Sequence, residues 1–163
     1  MDSSKELFKA MLSSELKATC DVIKSLPDTQ LAYQPHPHSR TAYQLVEHLI
    51  AHAKDFNVIL TSNICEECIH APFENLSNAA ELLEVNWNMA LQKLEEISED
   101  DFNSISVDLL VLGNHVLSMP RANMMWFFLF DVIHHRGQLT TYIRPMGGKN
   151  PAVYGSSYDT ENT

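Results

Sequence analysis

The chain has 163 residues, 45% of them hydrophobic, and 11 Lys and Arg against 21 Asp and Glu give a formal net charge of -10. That length suits one domain over residues 1–163 with a continuous core, and that hydrophobic content excludes wholesale disorder. The acidic balance, with no run of Lys or Arg, argues against nucleic acid or an anionic membrane surface as a partner, because their phosphates would go unneutralised.

With only 5 Gly and 7 Pro, long stretches free of both favour helices over a many-turned β architecture. The acidic Asp2 argues against a secretory signal, and no segment has the roughly 20 uninterrupted apolar residues of a membrane span, so the expected location is cytoplasmic. Leu7, Met11, Leu16, Cys20 and Ile23 recur at near-helical spacing and predict a first helix over Ser4–Ser25, ended by Pro27 and Asp28. Pro35 and Pro37 hold the next stretch as a loop. Ser39 reads as the N-cap of a second helix, whose apolar stripe runs from Tyr43 through Leu45, Val46, Leu49, Ile50, Phe56 and Ile59 to Leu60.

The segment from Asn63 to Leu76 reads as a loop. Ser77 is the expected cap of a third helix, marked by Leu82, Leu83, Val85, Trp87, Met89, Leu91, Leu94 and Ile97, and Ser98–Asp101 reads as an acidic turn. The stretch SISVDLLVLGNHVLSMP then breaks the helical rhythm: two apolar runs around Gly113-Asn114 predict a β-hairpin beside the helices. Pro120 opens a fourth helix that runs to Arg144, where Pro145 and Gly147-Gly148 stop it. The tail, with Tyr154 and Tyr158, is expected to pack back. The predicted class is all-α: a four-helix bundle with a small β-hairpin inserted before the last helix.

Three cysteines do not make a disulfide framework. Cys65 and Cys68 form a C-x-x-C, but with no second such pair and no βαβ pattern they read as reduced thiols in a loop. The fourth helix carries the sharper signal. Asp131 follows Phe127, Phe128, Leu129 and Phe130 and precedes Val132 and Ile133, so it should be buried, where a carboxylate needs a cation, donors or a proton. Asp131 and His135 are i and i+4 and share a face, which suggests a ligand pair. A third ligand must come from another element, and His48, in the apolar stripe of the second helix, supplies it. Two imidazoles and one carboxylate with positions left open form a site of the catalytic kind. A charge-assisted hydrogen bond within the Asp131–His135 pair explains part of the same pattern. His134 points about 100° away from His135. His52 could be a ligand but is expected in a supporting or surface role, and His36, His38, His70 and His115 fall in loops or the hairpin. Arg136 and Gln138 flank the site, with Arg136 an alternative partner for the tail, and Tyr142 is a candidate pocket residue.

The segment D-x-x-x-H-R-G-Q-L at Asp131 to Leu139, followed by Tyr142-Ile143-Arg144 and Pro151-Ala152-Val153-Tyr154-Gly155, resembles the C-terminal helix and tail of the DinB-like (damage-inducible) family. Leu45-Val46-Glu47-His48-Leu49 and the Tyr33-x-Pro35 approach to it are also similar. The resemblance implies a four-helix bundle with an unusual connection order and a divalent-metal site of three histidines, one on the second helix and an H-x-x-x-H pair on the fourth. His48 and His135 match two of those positions; Asp131 stands at the third, which makes the site harder and less zinc-like and leaves nickel, zinc, iron and manganese open. Characterised relatives include S-transferases and isomerases that use low-molecular-weight thiols such as bacillithiol or mycothiol.

The expected function is therefore that of a metal-dependent enzyme acting on a small molecule, with thiol S-transfer as the leading chemistry, metal ligands His48, Asp131 and His135, and a low-molecular-weight thiol as a further cofactor. The alternative is a non-catalytic stress-associated bundle or dimeric scaffold with a buried Asp–His pair and no metal. Homodimerisation through the first and fourth helices fits either reading.

Overall fold

The helices begin where a side chain completes the first turn. The computed structural model describes residues 3–162, so Asp2 lies outside it, and Ser3 caps α1 (Ser4–Lys24) by accepting from the Glu6 N–H. Thr41 and Gln44 form a reciprocal capping box at α2 (Ala42–Thr61), and Asn75 accepts from the Asn78 N–H at α3 (Leu76–Glu96). These caps replace the expected Ser39 and Ser77. Thr41 prevails because Gln44, three residues on, returns its hydrogen bond. The acidic segment read as a turn is a short helix, α4 (Glu99–Ser104), capped by Ser98, with three carboxylates in its first turn where the helix dipole favours them. Pro120, in extended backbone, leads into α5 (Arg121–Ile143), and a last turn, α6 (Tyr158–Glu161), closes the tail.

The long helices pack α1 on α3, α3 on α2, α2 on α5 and α5 on α1 around a shared core. Phe8, Leu12, Leu45, Leu49, Phe56 and Trp87 are fully buried there, and the Trp87 indole N–H donates to the Leu12 carbonyl at 2.9 Å, so its burial leaves no orphan donor. The buried stripe of α1 runs through Phe8, Leu12, Cys20 and Ile23, while Leu7 and Met11 face outward. At the start of this helix the expected stripe was thus one residue out of phase, a rotation of about 100°.

The chain is mostly helical but not all-α. Three strands, β1 (Ile64–Glu66), β2 (Ser106–Val111) and β3 (Asn114–Pro120), form a sheet in the order β1-β2-β3. β2 pairs antiparallel with β3, and β1, from the segment read as a loop, pairs parallel with β2 through Ile64–Asp108, Cys65–Leu109 and Glu66–Leu110. Cys65, Val107 and Leu109 send their side chains into the core. The hairpin turn is Leu112-Gly113, with φ 50° and 74°, one residue earlier than Gly113-Asn114, since a tight hairpin turn requires positive φ at both central residues. No described helix is long and apolar enough to cross a membrane.

Candidate metal centre

The spacing on α2 brings His48, His52 and Asp55 to one face, and on α5 Asp131 and His135 stand one turn apart facing them. Three imidazoles converge on one carboxylate oxygen. Asp131 Oδ2 lies 3.2 Å from His48 Nε2, 2.8 Å from His52 Nε2 and 3.2 Å from His135 Nε2. The Asp131 side chain is 35% exposed, a half-buried group at a cavity edge rather than the sealed one expected from its apolar neighbours. The reason is that α5 does not bury its whole circumference: Phe127 and Phe130 are exposed.

Electrostatics hold this cluster in a definite state. Burial pushes the Asp131 carboxyl up, but hydrogen bonds from His135, His48 and His52 together outweigh it and hold the group far below the usual carboxylate range. Burial lowers the His48 pKa more than its hydrogen bond to Asp131 raises it, which favours a neutral imidazole. For His52 the balance is reversed: burial lowers it, and Asp131 and Asp55 on its two nitrogens more than restore it. His135 has its Nδ1 2.8 Å from Gln138 Oε1, and Arg40 Nη1 lies 3.3 Å from its Nε2.

The donor chemistry fits a divalent cation. Ligands each about 2.1 Å from one ion lie about 3.0–3.4 Å apart at 90° to tetrahedral angles. The 3.2 Å separations of His48 and His135 from Asp131 are edges of that length, and the three donor atoms lie within 4.8 Å of one another. The neutral His48 imidazole and the ionised Asp131 carboxylate are the states in which these two groups coordinate a cation. A second three-donor group, His48, His52 and Glu67, overlaps the first. Glu67 follows β1 and was not foreseen, and His52, 3% exposed and bonded to Asp131, stands in a supporting position and not on the surface.

A cavity of about 300 Å³ opens onto these donors, walled by Leu109, Val111, Val116 and Phe127, with Arg40 and Glu67 at its polar side. Burial pushes the Glu67 carboxyl up. Tyr142 donates to the Arg40 carbonyl at 3.2 Å, in an adjoining cavity that it shares with His135 and Gln138. A larger cavity, about 450 Å³, lies between α5 and the tail, but among the described residues it has no such donor group. Its Arg136 points away from the cluster, to Glu15 Oε2 and the Tyr154 hydroxyl, both at 2.5 Å. Tyr154, itself 73% exposed, thus ties the tail back through its hydroxyl, while Tyr158, 72% exposed, begins α6.

The remaining candidates fall away from the cluster. His134 is exposed and pairs with Gln138, and His70 pairs with Glu47 at 2.7 Å. All three cysteines are free, and burial pushes the Cys65 thiol up to about 12, which disfavours the thiolate that a nucleophile needs.

Solved structures of DinB-like proteins resemble this one. A DinB-like protein from Bacillus cereus superposes with a TM-score of 0.73 at 19% identity, covering 91% of this chain and 97% of that one. A DinB-like protein from Bacillus subtilis gives 0.69 at 18% identity, covering 93% and 99%. At such identities the likeness concerns the fold. No curated protein matches the chain. The sequence model of the DinB family matches residues 1–162, so helices, sheet and tail are all spanned, and the chain belongs to the DinB family.

Proposed function

We propose that His48, Asp131 and His135 hold a divalent metal ion and that the chain is a metal-dependent enzyme acting on a small molecule, with thiol S-transfer or related hydrolytic or transfer chemistry as its reaction. The observation that carries this reading is the meeting of His48 Nε2 and His135 Nε2 at Asp131 Oδ2, each at 3.2 Å, on the floor of an open cavity. A structural site would be closed by four protein ligands; an open one leaves room for a reactant. The frame is a four-helix bundle of DinB-like topology with the hairpin before its last helix, a single cytoplasmic domain over residues 1–163 that pairs as a homodimer and has no nucleic-acid or membrane partner. Exposed Leu7 and Phe130, on α1 and α5, support the pairing.

A bound divalent ion, whether nickel, zinc, iron or manganese, lowers the pKa of a coordinated thiol or water. The chain's own residues do the rest. Arg40 offers a guanidinium beside His135 for the carboxylate of a low-molecular-weight thiol or of the substrate. Val111, Val116 and Phe127 give an apolar wall that excludes water and seats a hydrophobic group. Glu67, raised by burial, holds a proton at its carboxyl more readily than a solvated glutamate and can deliver it to a leaving group.

A second reading draws on the 2.8 Å contact of His52 Nε2 with Asp131: a protonated His52 satisfies it without metal, as in a non-catalytic stress-associated bundle or scaffold. Elemental analysis of protein purified without an affinity tag separates the two. The proposal expects about one equivalent of a divalent metal per chain, in keeping with a single-ion site, and none in His48→Ala with the far-UV helical signal retained. A metal-free wild type that also fails to take up added nickel, zinc, iron or manganese ends the enzyme reading.

A further inference from the structure

We infer that His48, His52 and Glu67 form a second seat for a divalent cation, overlapping the first and sharing His48 with it. The inference rests on the reading that the cavity floor binds metal at all. It adds that a cation binds without His135, through donors that include Glu67. A ring nitrogen coordinates one ion at a time, so the two seats are alternatives for His48 and not independent sites.

The donors come from two elements that the fold holds together. His48 and His52 are one turn apart on α2, with ring centroids 4.1 Å apart, and Glu67 arrives from the end of β1. The Glu67 backbone N–H donates to the Leu110 carbonyl at 2.8 Å, which extends the parallel pairing of β1 with β2 and fixes the direction from which the carboxylate enters. Among the described residues no partner engages the Glu67 side chain, although its carboxylate and the two imidazoles lie within 4.8 Å of one another. Two histidines and one carboxylate on one side of an ion, with the other side open, are a recurrent arrangement for iron and neighbouring divalent metals.

An independent observation at His52 points to a cation. The ring is 3% exposed and stands between two carboxylates, with Nδ1 3.2 Å from Asp55 Oδ2 and Nε2 2.8 Å from Asp131 Oδ2. A neutral imidazole has one N–H and can donate to only one of them. Asp55 is 1% exposed, and its other oxygen accepts from the Cys68 N–H at 3.0 Å, so it is a fixed acceptor for Nδ1–H. With Nδ1–H committed to Asp55, the contact of Nε2 with Asp131 takes either a second ring proton or a cation beside Nε2, and in both cases the imidazole is aimed at the cavity where Glu67 stands. A carboxylate behind the outer nitrogen of a histidine is the usual support of a metal-binding imidazole. Asp55 is thus the positioning residue of this seat, and through the Cys68 N–H it ties the seat to the segment after β1 that carries Glu67.

Calorimetric titration of metal-free full-length protein with Mn²⁺ and Zn²⁺, with X-ray absorption on the loaded forms, tests this. The expected result is that His135→Ala still takes up an ion through two imidazoles, that adding Glu67→Gln to it abolishes binding, and that adding Asp55→Asn weakens it about 10–100-fold. Each variant is checked by its far-UV helical signal, and the conservative Glu67→Asp tests for rescue. Wild type that binds while His135→Ala alone does not would overturn the second seat and leave the first intact. Unchanged affinity on adding Glu67→Gln would also overturn it. Wild type that binds neither metal overturns both readings.

Discussion

Helix α5 carries two clusters of buried charge on adjacent residues, and they are built on opposite principles. On one face Arg136, 2% exposed, meets Glu15 on α1, while Tyr154 from the tail donates to the same carboxylate and Thr19 accepts a further hydrogen bond at 3.2 Å. One positive charge meets one negative charge, and the guanidinium lies 5.1 Å from the Tyr154 ring centre. Nothing is left over, which marks a structural pair. On the other face His48, His52, Asp131 and His135 crowd acceptors and lone pairs around one point beside an open cavity, with Glu67 unengaged. A closed charge balance serves the fold; an open one awaits a ligand.

Mutations should separate the two. Arg136→Ala leaves Glu15 buried and unpaired, so it should lower unfolding free energy by about 3–5 kcal/mol in denaturant titration. Replacing both residues by apolar ones of similar volume should recover most of that loss. A comparable cost from His48→Ala in metal-free protein would break the distinction. The next effect belongs to the ligand. A divalent metal at 100 times its dissociation constant should stabilise wild type by about 2.7 kcal/mol, or about 5–10 °C in thermal midpoint for a chain of this size. It should move His48→Ala not at all and Arg136→Ala as much as wild type.

The smallest effect lies at the partly exposed start of α4, away from both clusters. Glu99 is held at about 2, chiefly by the neighbouring Ser3 side chain and then by hydrogen bonds from Ser4, Asn103 and the Lys5 N–H, with desolvation only partly opposing them. Because the folded pKa lies below the ordinary 4.5, its contribution is present above pH 4.5 and is lost as pH falls toward 2. Glu99→Gln should therefore flatten the acid limb of the stability–pH curve slightly and leave neutral stability and metal affinity unchanged. An equal effect at pH 7 would show that ionisation is not what Glu99 contributes.

How far the sequence could be read follows from which interactions are local. The four long helices were legible because apolar spacing and breakers such as Pro27 and Pro145 act within a few residues. Asp131 and His135 were legible because i and i+4 share a face, and His48 because it interrupts an apolar stripe. β1 was not, because its three residues become a strand only by pairing with β2, far along the chain. Glu67 was lost with it, since its position depends on that pairing. His52 lay in plain view one turn from His48, but its importance comes from Asp55 behind it and Asp131 in front, and the second of these is a contact between helices. The phase error at Leu7 and Met11 has a similar origin: several apolar residues competed for the buried face, and packing against α5, where Trp126 meets Phe8 edge-on at 4.9 Å, chose between them.

The central claim is that a divalent cation completes the arrangement of His48, Asp131 and His135. Anomalous diffraction from crystals of the untagged protein, collected on both sides of the nickel, zinc, iron and manganese edges, tests it most directly. The account predicts an element-specific peak within coordination distance of His48 Nε2, His135 Nε2 and an Asp131 oxygen. No such peak, with the imidazoles hydrogen-bonded to Asp131 in crystals soaked in these metals, would contradict it.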